Sequence, residues 1–98
     1  MTQPSARASE SAVVVLSDRI ATRVIDGRAI VVVVDTQKLH ALNETGTFLL
    51  GAIGGRTVGE LVDALVAECD VDRQQALDDT LTFVDELIEL QAIHLEGP

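Results

Sequence analysis

Between Lys38 and Gly46 the chain changes its hydrophobic period with no linker. Lys38-Leu39-His40-Ala41-Leu42 reads as a short half-apolar strand, and Asn43-Glu44-Thr45-Gly46 reads as a helix start. Asn43 has the side chain of an N-cap, and Glu44 sits where the positive end of a helix dipole favours an anion. This junction divides a β half from a helical half. The strand that ends there is expected to be an edge, with backbone N–H and C=O groups that find no partner in the chain.

Upstream, Ile20 to Ile25 carries β-branched residues and ends at Asp26-Gly27, a pair that favours a type I′ hairpin. Ala29 to Val34 returns, Asp35-Thr36-Gln37 turns, and Lys38 to Leu42 completes a three-stranded meander. Ile30-Val31-Val32-Val33-Val34 does not alternate between apolar and polar, which predicts a strand covered on both faces. The helices can cover one. Ala12 to Leu16 folding back, or a second copy of the protein, can cover the other. If Val31 and Val33 were left bare on that outer face, the chain would self-associate, so a homodimer is one expectation.

Downstream, a first helix is predicted from Glu44 to Ile53, stopping at Gly54-Gly55. Thr57-Val58-Gly59-Glu60 has the form of a capping box, and Val58, Leu61, Val62, Leu65, Val66 and Cys69 then recur at helical spacing. A third helix opens at Asp72, with Gln75 three residues on, and runs to Gln91; Ile93-His94-Leu95 closes the domain as an extended piece. This third helix carries two apolar stripes. One is Leu77, Leu81, Val84 and Ile88; the other is Ala76, Thr80, Phe83, Leu87 and Leu90. Together they span about half the circumference, where a packed surface helix needs an arc of about 100°. Periodicity leaves two readings open: both stripes are core, or the second lines a groove beside the edge strand.

The chain has 98 residues, enough for one small domain, and an apolar fraction of 47%, enough for a core. With only Phe48 and Phe83 aromatic, that core must be aliphatic. Residues 1–12 are polar and small and read as a disordered tail, which leaves 13–96 as the domain. The lone Cys69 excludes an internal disulfide and suits a reducing compartment, and no apolar run approaches the length of a membrane span. The expected setting is therefore the cytoplasm, with no membrane partner.

Enzyme chemistry finds no constellation. There is no nucleophile elbow, P-loop or dinucleotide fingerprint, and His40, His94 and Cys69 fit no zinc spacing. No catalytic residue, metal or cofactor is expected. Asp78-Asp79 and Asp85-Glu86-Glu89 read as a solvated helix face. The second and third helices could pass for a helix-turn-helix, but the charge opposes it. Residues 1–57 hold six Lys/Arg against five Asp/Glu, whereas residues 58–98 hold Arg73 alone against eleven acids. A helix this acidic repels a phosphate backbone, so no nucleic-acid partner is expected.

Taken together, Asp26-Gly27 before an apolar strand, Leu42-Asn43-Glu44-Thr45-Gly46, Gly55-Arg56-Thr57-Val58, Glu60-Leu61-Val62 with Leu65, and Phe83-Val84 with Leu87 resemble the PqqD-like family. The resemblance spans about residues 16 to 95. Leu49-Leu50 stands where the family commonly has an aromatic, and Gly54 where it often has an acid. The resemblance implies an α+β, winged-helix-like fold of three antiparallel strands followed by three helices. It also implies a non-catalytic recognition element that binds the leader of a ribosomally made precursor peptide as an added strand. Such an element presents the leader to a modifying enzyme, often a radical-SAM protein. On this resemblance the leader would pair with Lys38, Leu39, His40, Ala41 and Leu42. It would pack on Thr80, Phe83, Leu87 and Leu90, with Asp79 and Glu86 as an acidic rim favouring a basic leader.

Overall fold

A computed structural model describes residues 10–96. In chain order the elements are β1 (Val13–Leu16), β2 (Ile20–Ile25), β3 (Arg28–Val33), β4 (Lys38–Ala41), α1 (Glu44–Ala52), α2 (Val58–Glu68), α3 (Arg73–Glu89) and β5 (Ile93–Glu96). The expected α+β order of meander then helices is present, with β2-β3-β4 as one antiparallel sheet. A second, two-stranded sheet joins β1 to β5.

Local chemistry sets the boundaries. Asp26 and Gly27 both adopt positive φ, 54° and 80°, the left-handed pair that a type I′ turn requires. Gln37, at φ 56°, donates its N–H to the Val33 carbonyl at 2.7 Å and closes the next turn. Asn43 Oδ1 accepts the Gly46 N–H at 2.7 Å and starts α1. The capping box of α2 is reciprocal: Glu60 N–H to Thr57 Oγ1 at 3.1 Å, and Thr57 N–H to Glu60 Oε1 at 2.8 Å. Asp72 caps α3 through the Gln75 N–H at 2.8 Å.

One core lies between the helices and the inner sheet face, where Ala29 and Val31 meet Leu49, Val58, Leu61, Val62 and Leu65 and the buried side of α3. Three expectations change here, and one open alternative is decided. Val31 and Val33 are buried on the inner face; the outer-face residues of β3 are Ile30 and Val32, half-buried by their neighbours. The period-2 pleat decides this, and a run of valines cannot show its phase. Val13–Leu16 does not fold across the outer face, because β5 takes it as a partner. The second stripe of α3 is core: Ala76, Thr80, Phe83 and Leu87 are all buried, while Ile88 of the first stripe is exposed. Finally, the domain takes in residues 10–12 as well. Residues 1–9 of the expected tail lie outside the described residues, but the Glu10 and Ala12 carbonyls accept the Gly59 and Val58 N–H groups, each at 2.9 Å. They thereby satisfy the first two orphan donors of α2.

Candidate functional site

The end of the β3–β4 ladder determines which backbone groups are available. Leu42 donates its N–H to the Ala29 carbonyl at 2.9 Å. In an antiparallel pair successive residues alternate in direction, so with Val31 opposite His40 and Val33 opposite Lys38, those two residues also face β3. The N–H and C=O groups of Leu39 and Ala41 therefore point away from the sheet, where no described strand takes them. The His40 N–H belongs to the ladder and is not an edge donor.

Side chains alternate in the same way. Lys38 and His40 share the face of Val31 and Val33, toward the helices; Leu39 and Ala41 lie on the outer face, with Leu39 71% exposed. His40 Nε2 stands 3.9 Å from Glu86 Oε1, which brings β4 beside α3. Next to this pair opens a cleft of about 270 Å³. Leu42, Asn43, Thr45 and Gly46 form one wall and Asp79, Thr82, Phe83 and Glu86 the other. Leu42 and Phe83 are almost fully buried and make an apolar floor. Asp79, held by Gln75 Nε2 at 2.9 Å, and Glu86 supply negative charge at its rim, opposite the N-terminal turn of α1.

Of the residues expected at this site, the structure brings Leu42, Asp79, Phe83 and Glu86 into one cleft; His40 approaches it through Glu86, and Lys38, Leu39 and Ala41 lie on the same strand without lining it. Thr80 and Leu87 are fully buried and support the wall from behind, so neither offers a surface to a ligand. Leu90, the half-buried C-cap of α3, does not line the cleft. Asn43, Thr45, Gly46 and Thr82 line it and were not expected. Asp79, Thr82, Phe83 and Glu86 follow the i, i+3, i+4, i+7 spacing of one helix face, and this was the available signal.

Among the described residues no group of three or more His, Cys, Asp or Glu could hold a metal ion, and no helix is long and apolar enough to cross a membrane. The arrangement offers unpaired backbone groups beside a small apolar-floored, acid-rimmed cleft. That chemistry suits capture of an extended chain.

The family model described as Coenzyme PQQ synthesis protein D (PqqD) matches residues 28–93, from the first residue of β3 to the first of β5. Among solved structures, TbiB1 in complex with the TbiA(beta) leader peptide superposes with a TM-score of 0.74 at 25% identity, covering 81% of this chain and 93% of that one. A lasso peptide synthetase B1 complexed with the leader peptide gives 0.73 at 20% identity, covering 83% and 96%, and supports the fold. No curated protein matches the sequence.

Proposed function

The chain belongs to the PqqD family, and from that premise we propose that it is a non-catalytic peptide-binding module of the RiPP-recognition type. It binds the leader segment of a ribosomally made precursor peptide by adding a strand to β4, and presents the peptide to a modifying enzyme of the radical-SAM or a similar class. It works in the cytoplasm, and its partners are the precursor, that enzyme and a second copy of the chain.

One observation carries the reading: the outward backbone groups of Leu39 and Ala41 belong to the strand that runs at Leu42 into the wall of the cleft shared with α3. An added strand satisfies those groups, and its alternate side chains descend toward Phe83 and Leu42. The similarity to TbiB1, a structure with its leader bound, supports a leader peptide as the ligand. On this reading Lys38, Leu39, His40, Ala41 and Leu42 form the pairing edge, with Asp79, Phe83 and Glu86 as cleft contacts. Thr80, Leu87 and Leu90 act through the packing of α3. Asp79 and Glu86 favour Lys or Arg in the leader.

The test is calorimetric titration with synthetic precursor peptides encoded beside the gene, against the parent chain and Ala41→Pro. Proline at an outward position removes one edge donor and leaves the ladder to β3 intact. A leader that binds the parent and loses at least about tenfold, or about 1.4 kcal/mol, on Ala41→Pro is the expected result. Equal binding to both folded proteins would remove β4 from the site.

A further inference from the structure

The sheet has a second open edge, on β2. Val34 donates its N–H to the Arg19 carbonyl at 2.9 Å, and the two-residue turn makes Ile25 and Arg28 a directly facing pair. By alternation Arg19, Ala21, Arg23 and Ile25 face β3, and the N–H and C=O groups of Ile20, Thr22 and Val24 face outward. No described strand pairs with them. The strand is six residues long and apolar on both sides of its outer half, with Val24 67% and Ile25 56% exposed. An edge of this length and composition is a template for another strand.

We infer that β2 pairs antiparallel with β2 of a second copy, about a two-fold axis at Thr22. Charge selects this register. The alternative that brings Thr22 opposite Val24 sets Arg23 directly across from Arg23. Sliding the other way, with Ile20 opposite Thr22, sets Arg23 across from Arg19. Like charges directly opposite are destabilising. With Thr22 opposite Thr22, Ile20 faces Val24, Arg23 faces Ala21 and Arg19 faces Ile25, so no arginine lies directly across from another. Beyond the paired strands Asp18 of one copy comes across from Asp26 of the other, and Arg19 lies beside each Asp26. The outward groups of Ile20, Thr22 and Val24 then form three pairs exchanging two bonds each, and Val24 is covered by Ile20 of the second copy. An interface of this kind is isologous and closes at two copies.

The product is a continuous six-stranded sheet, β4-β3-β2 joined to its symmetry mate, with a β4 edge at each outer end. Pairing through β2 therefore leaves both candidate peptide edges free, and the dimer does not depend on the proposed ligand.

Sedimentation of the full chain over a concentration series tests this, with Thr22→Pro as the variant. Proline there removes an outward donor at a position the monomer's own ladder does not use. The expected result is a dimer mass for the parent and a monomer mass for Thr22→Pro, with helical circular dichroism and melting retained. A second variant fixes the register and covers the case in which Thr22→Pro fails to fold. Ala21→Cys and Arg23→Cys, on a Cys69→Ser background, face each other as non-hydrogen-bonded pairs about 4.5 Å apart, within disulfide reach. Oxidation should give a covalent dimer. A monomer mass for the parent at every concentration, a dimer that survives Thr22→Pro, or a dimer that the cysteine pair fails to cross-link would overturn the inference.

Discussion

The Leu42 N–H and the Ala29 carbonyl meet at 2.9 Å, and with that bond the β3–β4 ladder ends. The return bond is absent because the Ala29 N–H goes instead to Thr47 Oγ1 of α1 at 2.8 Å, while Arg28 Nε donates to the Leu42 carbonyl at 3.1 Å. The strand is thus released into the helix with the Ala29 N–H and both backbone groups of Leu42 satisfied. The cleft sits where this happens, because the first turn of α1 is swung against α3.

Thr47 is accordingly a structural donor-satisfier for the sheet. Thr47→Val keeps the shape and leaves the Ala29 N–H without its partner, which costs about 1–3 kcal/mol. Urea denaturation should show a lower midpoint with an unchanged slope.

Gly46 is required by close approach. A Cβ there would stand 3.1 Å from Leu42 Cβ and 3.3 Å from Asn43 Oδ1, at the N-cap bond itself. Gly46→Ala gains helix propensity of about 1 kcal/mol but overpacks the junction by about 1–3 kcal/mol. The expected outcome is net destabilisation, seen as a fall in melting temperature; a rise would show that Leu42 yields freely.

Thr80 and Phe83 separate core from groove. Thr80 Oγ1 is buried and has no hydrogen-bond partner among the described residues, so Thr80→Val should stabilise the fold, by about 1 kcal/mol or more. Phe83 is 3% exposed, and Phe83→Ala should cost about 3–5 kcal/mol in stability. Binding comparisons at this position need conditions under which the variant stays folded.

Much of this was legible in the residues. Asp26-Gly27 located the hairpin, Thr57 with Glu60 the start of α2, and Asn43 the start of α1, because caps and turns are local chemistry. The Ile30–Val34 run is not legible in the same way: five apolar residues in a row do not reveal which of them face inward, and it is Val31 and Val33 that do. The α3 stripes leave two readings open for a related reason. Helical periodicity gives an apolar arc but not the number of neighbours available to cover it, and α2, α1 and β5 cover most of it. Only Phe83 retains an edge on the cleft. The β1–β5 pairing depends on contact between the two ends of the domain, which no local pattern encodes.

The N-terminal arm should respond to acid. Arg73 Nη2 stands 2.8 Å from Glu10 Oε1 and 3.6 Å from Asp63 Oδ1. Its hydrogen bond and charge hold the Glu10 carboxyl below its ordinary value of 4.5. A carboxylate with a depressed folded-state pKa contributes stability that is present above its ordinary value and lost as pH falls through the folded one. Melting followed from neutral pH down past 4.5 should therefore fall more steeply in the parent than in Glu10→Gln. Both groups are exposed, so the difference is small.

The central claim is that a leader strand pairs with the outward groups of β4, and amide hydrogen exchange resolves those groups one by one. With a binding leader peptide added, exchange at Leu39 and Ala41 should slow, while His40, already bonded within the ladder, and Ile20, Thr22 and Val24 on the opposite edge should not change. Saturating leader that leaves Leu39 and Ala41 exchanging as fast as in the free protein, or that protects β2 instead, would contradict the account.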